Sequence, residues 1–212
     1  WKEGFLYKAP TNNGEVYLER NGFTFVMGAA ENVAKIDAVK FERHTQEILH
    51  FHAYKVIFEG AKTDAKVTGS KPQQHYYNYF LGNDPTRWKS DIHPNLVVDY
   101  ENIYDNIDLH IATENGRIKY DFIVKPGANP NTIVLKYEGA DGLKIRNKNL
   151  QVLTSVGPVE EMEPYCYQYI NGERKEVRCR YRIDGNKVSY EFPDGYDKTQ
   201  TLVIDPTIIF AT

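Results

Sequence analysis

The chain has 212 residues, of which 41% are apolar and 26% charged, and its formal net charge is −3. This is globular composition, long enough for one large β domain or two small ones, and the slightly negative charge argues against nucleic acid or an anionic membrane as partner. No apolar run reaches the ~20 residues of a membrane-spanning helix, while 16 Tyr and 10 Phe favour strands.

The chain opens on Trp1 rather than Met, which reads as a fragment or a processed protein with any signal peptide already gone. Residues 5–8 and 15–27 predict short strands broken at Asn12-Asn13-Gly14 and Asn21-Gly22, because Asn-Gly is the strongest short hairpin signal. Over 29–48 the pattern changes. Val33, Ile36, Val39 and Lys40 fall at helical spacing without Gly or Pro, which predicts one short helix near 31–46; the competing reading is a long connector with a strand at Ala38–Glu42. Strand alternation returns at His50 and ends at Gly60. Residues 62–74 are polar, with Gly69 and Pro72, and predict a loop; it is the best place for a sub-boundary in what otherwise reads as a single module, 1–212.

Next comes an aromatic stretch, 77–93. Asp84-Pro85 starts a turn that Asn83 can cap, Tyr77, Tyr79, Phe80 and Leu81 enter it from a strand, and Trp88 closes over it. This predicts a corner whose aromatics fill the edge of a sandwich. The sharper reading makes Trp88 a sugar-binding platform, with Tyr79 and Asp84 as further ligand-binding candidates. Strands then recur at roughly 96–100, 107–112, 117–125, 132–138, 142–146, 150–154, 158–170, 175–183, 187–192 and 201–210, with Gly-, Pro- or Asn-containing turns between most of them. The fold class expected is all-β, a mainly antiparallel, sandwich-like arrangement of two packed sheets. Within it, 117–125 and 132–138 are expected to pair as a hairpin, with Ile118, Tyr120, Phe122 and Val124 on one face.

The candidate chemistry is sparse. Asp99, Glu101, Asp105, Asp108 and Asp121 would suit glycoside hydrolysis if two carboxyls lay about 5–10 Å apart across a cleft, or calcium if their loops supplied oxygens. No calcium-loop spacing is present, and Asp105-Asn106 reads as a turn before a strand. His50 and His52 share a strand face but lack a third ligand nearby in sequence. Arg174, Lys175, Arg178, Arg180 and Arg182 interleave with tyrosines, which strand pairing explains as well as nucleic acid does. Nucleophile-elbow, zinc-protease, phosphate-loop and dinucleotide motifs are missing. The reading is therefore no catalytic residue, no metal and no cofactor.

The phrases "NYFLGNDPTRW" (78–88), "VVDYENIYDNIDLHI" (97–111), "GRIKYDFIVKPGANPNTIVLKYEGADGLKI" (116–145) and "LVIDPTIIFAT" (202–212) together resemble one family. It is the uncharacterised N-terminal domain of large secreted proteins of Bacteroidota and some other bacteria, with downstream β-propeller-type or immunoglobulin-like repeats and a C-terminal gliding-motility-type sorting domain. The 29–49 stretch fits no pattern of that family. The resemblance implies export by the type IX route, a secreted or cell-surface location, no assigned catalytic residues, and further domains beyond Thr212 as partners in the same polypeptide. The function expected is a non-enzymatic surface module for adhesion or structural presentation, contacting surface glycans or other surface proteins. The alternative is a carbohydrate-binding or carbohydrate-processing domain using exposed aromatics and carboxylates.

Two cysteines complete the reading. "PYCYQYINGERKEVRCRYRI" predicts two strands around Asn171-Gly172. A four-residue loop, Asn171 to Arg174, places Cys166 directly opposite Cys179, and a cross-strand disulfide is expected in that register. A loop of only Asn171-Gly172 places Cys166 opposite Val177 and leaves two half-buried thiols. Export, which the resemblance implies, permits oxidation.

Overall fold

A computed structural model describes residues 4–32, 35, 48–80, 82–114 and 117–210. The described residues are almost entirely antiparallel β structure, and strands are numbered in chain order. The first large sheet runs, edge to edge, β1 (Tyr7–Thr11), β2 (Gly14–Glu19), β3 (Gly22–Gly28), β4 (Phe51–Phe58), β11 (Leu135–Glu138), β18 (Lys187–Glu191) and β17 (Arg180–Asp184). The second runs β16 (Glu173–Val177), β15 (Tyr165–Ile170), β19 (Leu202–Asp205), β10 (Arg117–Val124), β9 (Ile107–Glu114), β8 (Asn95–Tyr104) and β5 (Lys66–Pro72). A third, smaller sheet is formed by β12 (Gly142–Arg146), β13 (Asn149–Leu153), β14 (Val159–Glu161) and β20 (Ile208–Phe210). The fold is the two-sheet, sandwich-like class expected.

Alternation explains the two layers. In β10, Ile118, Tyr120, Phe122 and Val124 are buried, and Lys119, Asp121 and Ile123 between them are only half-buried. In β4, Tyr54, Val56 and Phe58 point inward in the same way. The inward sets of both sheets meet in one core, where Phe58 packs edge to face on Phe122 at 5.9 Å and Phe23 on Tyr120 at 5.7 Å. Two-residue turns set many registers: Asp105-Asn106 joins Tyr104 to its partner Ile107, with Asn106 at φ 56°. In β3, Gly22 lies so close to β4 that an added Cβ would stand 2.3 Å from the Val56 carbonyl oxygen, so only glycine fits.

Several expected elements differ. Residues 66–72, expected within a loop, form β5, paired with β8 from Lys66↔Glu101 to Pro72↔Asn95. The first large sheet takes strands from either side of this stretch, and the second takes β5 from within it. The expected hairpin of 117–125 with 132–138 does not form: β10 pairs with β9 and β19, while β11 pairs with β4 and β18 in the opposite sheet. The cause is Pro130. It opens a 3-10 turn, Pro130–Thr132, capped by the Asn129 side chain on the Asn131 N–H at 3.1 Å, and this turn carries the chain across the core. Three stretches expected as single strands are each split between sheets: 158–170 at Met162–Pro164, 175–183 at Arg178-Cys179, and 201–210 at Pro206. The helix expected over 31–46 lies outside the described residues except for Glu31, Asn32 and Lys35, which are helical. Asn32 holds the near end of that stretch, since its side chain exchanges hydrogen bonds with the His50 backbone at 2.7 and 3.0 Å.

The cysteine hairpin takes the shorter loop. Asn171 (φ 54°) and Gly172 (φ 80°) form the two-residue turn, Ile170 faces Glu173, and Cys166 faces Val177, not Cys179. Both turn residues carry the positive φ that Asn-Gly tolerates best, which decides the register.

Phe122 is fully buried and touches rings from both sheets. Phe122→Ala is expected to lose about 3–5 kcal/mol, read as a lowered midpoint in a urea melt at unchanged slope.

Candidate functional site

Three features of the described residues bear on function: an aromatic arm in solvent and two polar clusters. The exposed feature continues the β5–β8 hairpin beyond the sheet. The Gln73 N–H donates to the Pro94 carbonyl at 2.8 Å, and a His93 ring nitrogen lies 2.8 Å from the Gln73 carbonyl. Beyond them β6 (Tyr77–Tyr79) pairs with β7 (Lys89–Ile92) through Tyr77↔Ile92 and Tyr79↔Lys89. The tip is a 3-10 turn, Pro85–Arg87. Asp84 caps it, its carboxyl accepting from the Thr86 N–H at 3.0 Å and the Thr86 hydroxyl at 2.7 Å. The Trp88 indole N–H donates to the Gly82 carbonyl at 3.2 Å, and Phe80 packs edge to face on Trp88 at 5.5 Å.

This arm is not the corner expected. Its rings do not fill the sandwich edge: Tyr76, Tyr77, Phe80, Trp88 and Ile92 are 55, 50, 59, 40 and 42% exposed. The arm runs past the edge of its sheet, so these rings meet solvent where a second layer would otherwise cover them. All three ligand-binding candidates sit on it. Asp84 spends its carboxyl on the turn, Trp88 is half open to solvent, and Tyr79 leans on Tyr77 at 6.2 Å. Around them stand hydrogen-bonding groups: His75, Asn78 with its side-chain oxygen on the Asp91 N–H at 3.0 Å, and His93 paired with Asp91 at 3.2 Å.

The first polar feature, half-buried, crosses the outer face of the second sheet. Asp99 on β8, His110 on β9 and Asp121 on β10 are successive cross-strand partners, and Asp205 on β19 follows in line. His110 lies 2.6 Å from Asp99. The Asp121 and Asp205 carboxyls are within hydrogen-bonding reach of each other, and one oxygen of each is buried without a donor. Two carboxyls so placed share a proton. Burial and the Asp205 charge push Asp121 up to about 6, with His110 and Lys119 opposing.

The second feature lies where the small sheet closes the end of the sandwich. Glu161 on β14 is 3% exposed. It accepts hydrogen bonds from Tyr120 and, at 3.2 Å, from Tyr137. Tyr54, Tyr181 and Tyr190 stand close around it. Burial drives the Glu161 carboxyl up to about 7 against the pull of the tyrosine hydroxyls. A cavity of about 10 Å³ beside it, lined also by Phe23, Phe25 and Ile208, has room for one water at most.

A family described as Domain of unknown function (DUF7948) matches residues 1–207. The chain belongs to that family. Neither the curated proteins nor the solved structures give a match.

In this DUF7948 chain the other sequence candidates have structural partners. Glu101 pairs with Lys66 at 2.8 Å, Asp105 with Lys62 at 2.5 Å, and Asp108 with Lys125 at 2.7 Å. His52 spends one ring nitrogen on the Ser155 hydroxyl at 2.9 Å and the other on the Gly139 carbonyl at 2.8 Å. Of the basic run, Arg174 stacks over Tyr165 and Tyr167 at 5.6 and 5.5 Å. Arg178 and Arg180 instead reach Asp194 and Glu191 at 3.7 and 2.8 Å. Glu161 and Asp205 escaped the sequence reading. A signal existed for Glu161, since it shares the inward face with Val159 two residues earlier. Nothing local marks Asp205, whose partner Asp121 is far away in the chain.

Two pH-dependent outcomes follow. The Glu161 carboxyl binds its proton more tightly folded than unfolded. Its contribution is therefore fully present below the ordinary glutamate value of 4.5 and is lost as pH rises to about 7. Glu161→Gln should melt with the native protein at pH 4 and be more stable at pH 8 by about 3 kcal/mol at most; equal melts at both pH values would show a carboxylate comfortable in this site. For the pair, Asp205→Asn removes the neighbouring charge and supplies a donor. The Asp121 carboxyl should then titrate below its native midpoint of about 6 in a carbon-detected NMR pH series.

Proposed function

We propose that this chain is a non-catalytic presentation and adhesion module of a larger exported protein, and that residues 73–94 are its contact element. One observation carries the reading: an arm holding Tyr76, Tyr77, Phe80, Trp88 and Ile92 in solvent on a two-stranded hairpin. Exposed aromatics of this density mark interaction surfaces. The sequence resemblance to N-terminal domains of type IX-exported, surface-located proteins supports the setting, with downstream domains as partners in the same polypeptide. The carboxyl pair does not fit glycoside hydrolysis. Asp121 and Asp205 touch, whereas glycoside hydrolysis needs carboxyls about 5–10 Å apart with the sugar between them.

A second reading takes the arm as a glycan-binding surface. What favours it is the combination of flat rings with Asn78, Asp91 and His93 beside them, since sugars present apolar faces rimmed by hydroxyls. Both readings place contact on the arm, so one variant tests them together. Tyr77→Ala/Trp88→Ala should leave the melting temperature within a degree or two, because the two rings are 50 and 40% exposed and lie outside the core. The same variant should lose at least tenfold in binding to whichever glycans or surface proteins an array shows the native chain to hold. Array binding that survives the double substitution would remove the arm from the function, and turnover of any glycan in a hydrolase panel would overturn the non-catalytic reading.

A further inference from the structure

We propose that Cys166 and Cys179 form an intramolecular disulfide that ties the two large sheets together where the chain crosses from one to the other. The placement is unlike the cross-strand bridge of a simple hairpin. Cys166 lies on the inward face of β15 in the second sheet and is 1% exposed. Cys179, 4% exposed, sits in the Arg178-Cys179 connector between β16 of the second sheet and β17 of the first. Had β16 continued, Cys179 would be a diagonal neighbour of Cys166, too distant for easy closure. Because β16 ends at Val177, Cys179 leaves the ladder and is buried in the same core cluster as Cys166, with the two thiols within hydrogen-bonding reach. Both belong to the buried cluster that also holds Tyr190 on β18 of the first sheet, so the two sulfurs lie inside the sandwich. Both are free thiols in this structure.

Bridging removes two protons and two electrons from the thiols. An external disulfide of the glutathione class accepts the electrons and is split into two thiols. One cysteine thiolate attacks that disulfide and forms a mixed disulfide with release of the first thiol; the other cysteine displaces the second. Both cysteines are buried once the sandwich closes, out of reach of an external disulfide. Exchange therefore runs before β15 to β17 close. In the cell the bridge rests on the exported setting proposed above, where oxidation persists. The test is run in a defined redox buffer, so its outcome is independent of that setting.

The chain is unfolded in reductant, refolded in a mixture of oxidised and reduced glutathione, then denatured, alkylated without reduction and weighed. The expected product is a monomer two hydrogens lighter, free of alkyl groups, yielding one linked peptide containing Cys166 and Cys179. Two alkyl adducts, a glutathione adduct or a covalent dimer would each overturn the proposal. Reduction of the bridged protein should lower its melting temperature by on the order of 6–12 °C, given a closed loop of about 14 residues. The Cys166→Ala/Cys179→Ala variant should melt at the same temperature with or without reductant. A bridged protein whose melt ignores reductant would overturn the tying role.

Discussion

Phe58 of the first sheet and Phe122 of the second meet edge to face at 5.9 Å, and the rest of the core is arranged around that contact. Phe23 packs on Phe58 at 4.8 Å and on Tyr120 at 5.7 Å, and Phe122 reaches Tyr190 at 6.3 Å. Each such pair adds about 0.5–1.5 kcal/mol beyond the area it buries. More importantly, rings have few rotamers, so they fix how far apart the sheets stand and in what register they face. The use of Tyr instead of Phe at 120 and 137 then creates a demand. A buried hydroxyl needs an acceptor, and Glu161 supplies it from the small sheet. The ring lattice thus recruits the third sheet, and the burial it imposes raises the affinity of that carboxyl for a proton against the opposing tyrosine hydroxyls.

Local features were readable in the sequence wherever the signal was itself local. The inward set of β10 follows from period-2 alternation, and the hairpin turns from Asn-Gly and Asp-Asn pairs. What failed was pairing at a distance. Residues 117–125 and 132–138 are neighbours in the chain with a turn between them, yet Pro130 sends the second into the opposite sheet. Residues 158–170 and 175–183 read as continuous alternating runs. Across Cys179 the alternation persists, with Val177, Cys179 and Tyr181 all buried, because both large sheets face the same core and the pattern carries no mark of a change of layer; across Pro164 it slips by one residue, from Val159 and Glu161 to Cys166 and Gln168. Polar composition likewise disguised β5, an edge strand without a hydrophobic face to declare it.

The candidate site shows the same limit from the other side. Tyr77 on the arm and Tyr137 in the core are the same residue type in comparable strand contexts. One is half-exposed and the other 4% exposed. The difference lies in whether another layer stands opposite, which depends on the whole topology. Trp88, Tyr79 and Asp84 could be named from the turn chemistry around Pro85, whereas their projection into solvent could not. The carboxyl row is similar. Asp99, His110 and Asp121 are legible as alternating polar positions, and only the placement of β19 beside β10 adds Asp205.

The continuity of the arm with β5 and β8 has a mechanical meaning. Antiparallel ladder bonds run perpendicular to the strands. A pull applied at the arm and directed along the hairpin would load the bonds from Lys66↔Glu101 to Pro72↔Asn95 sideways and together. It would pass through β8 into the β9 ladder behind it, from Val97↔Ala112 onward. Peeling, in which bonds break one after another, would require the same force to act across the sheet. The geometry therefore makes the arm strongest against tension along its own axis, the direction in which a tether attached at its tip would draw.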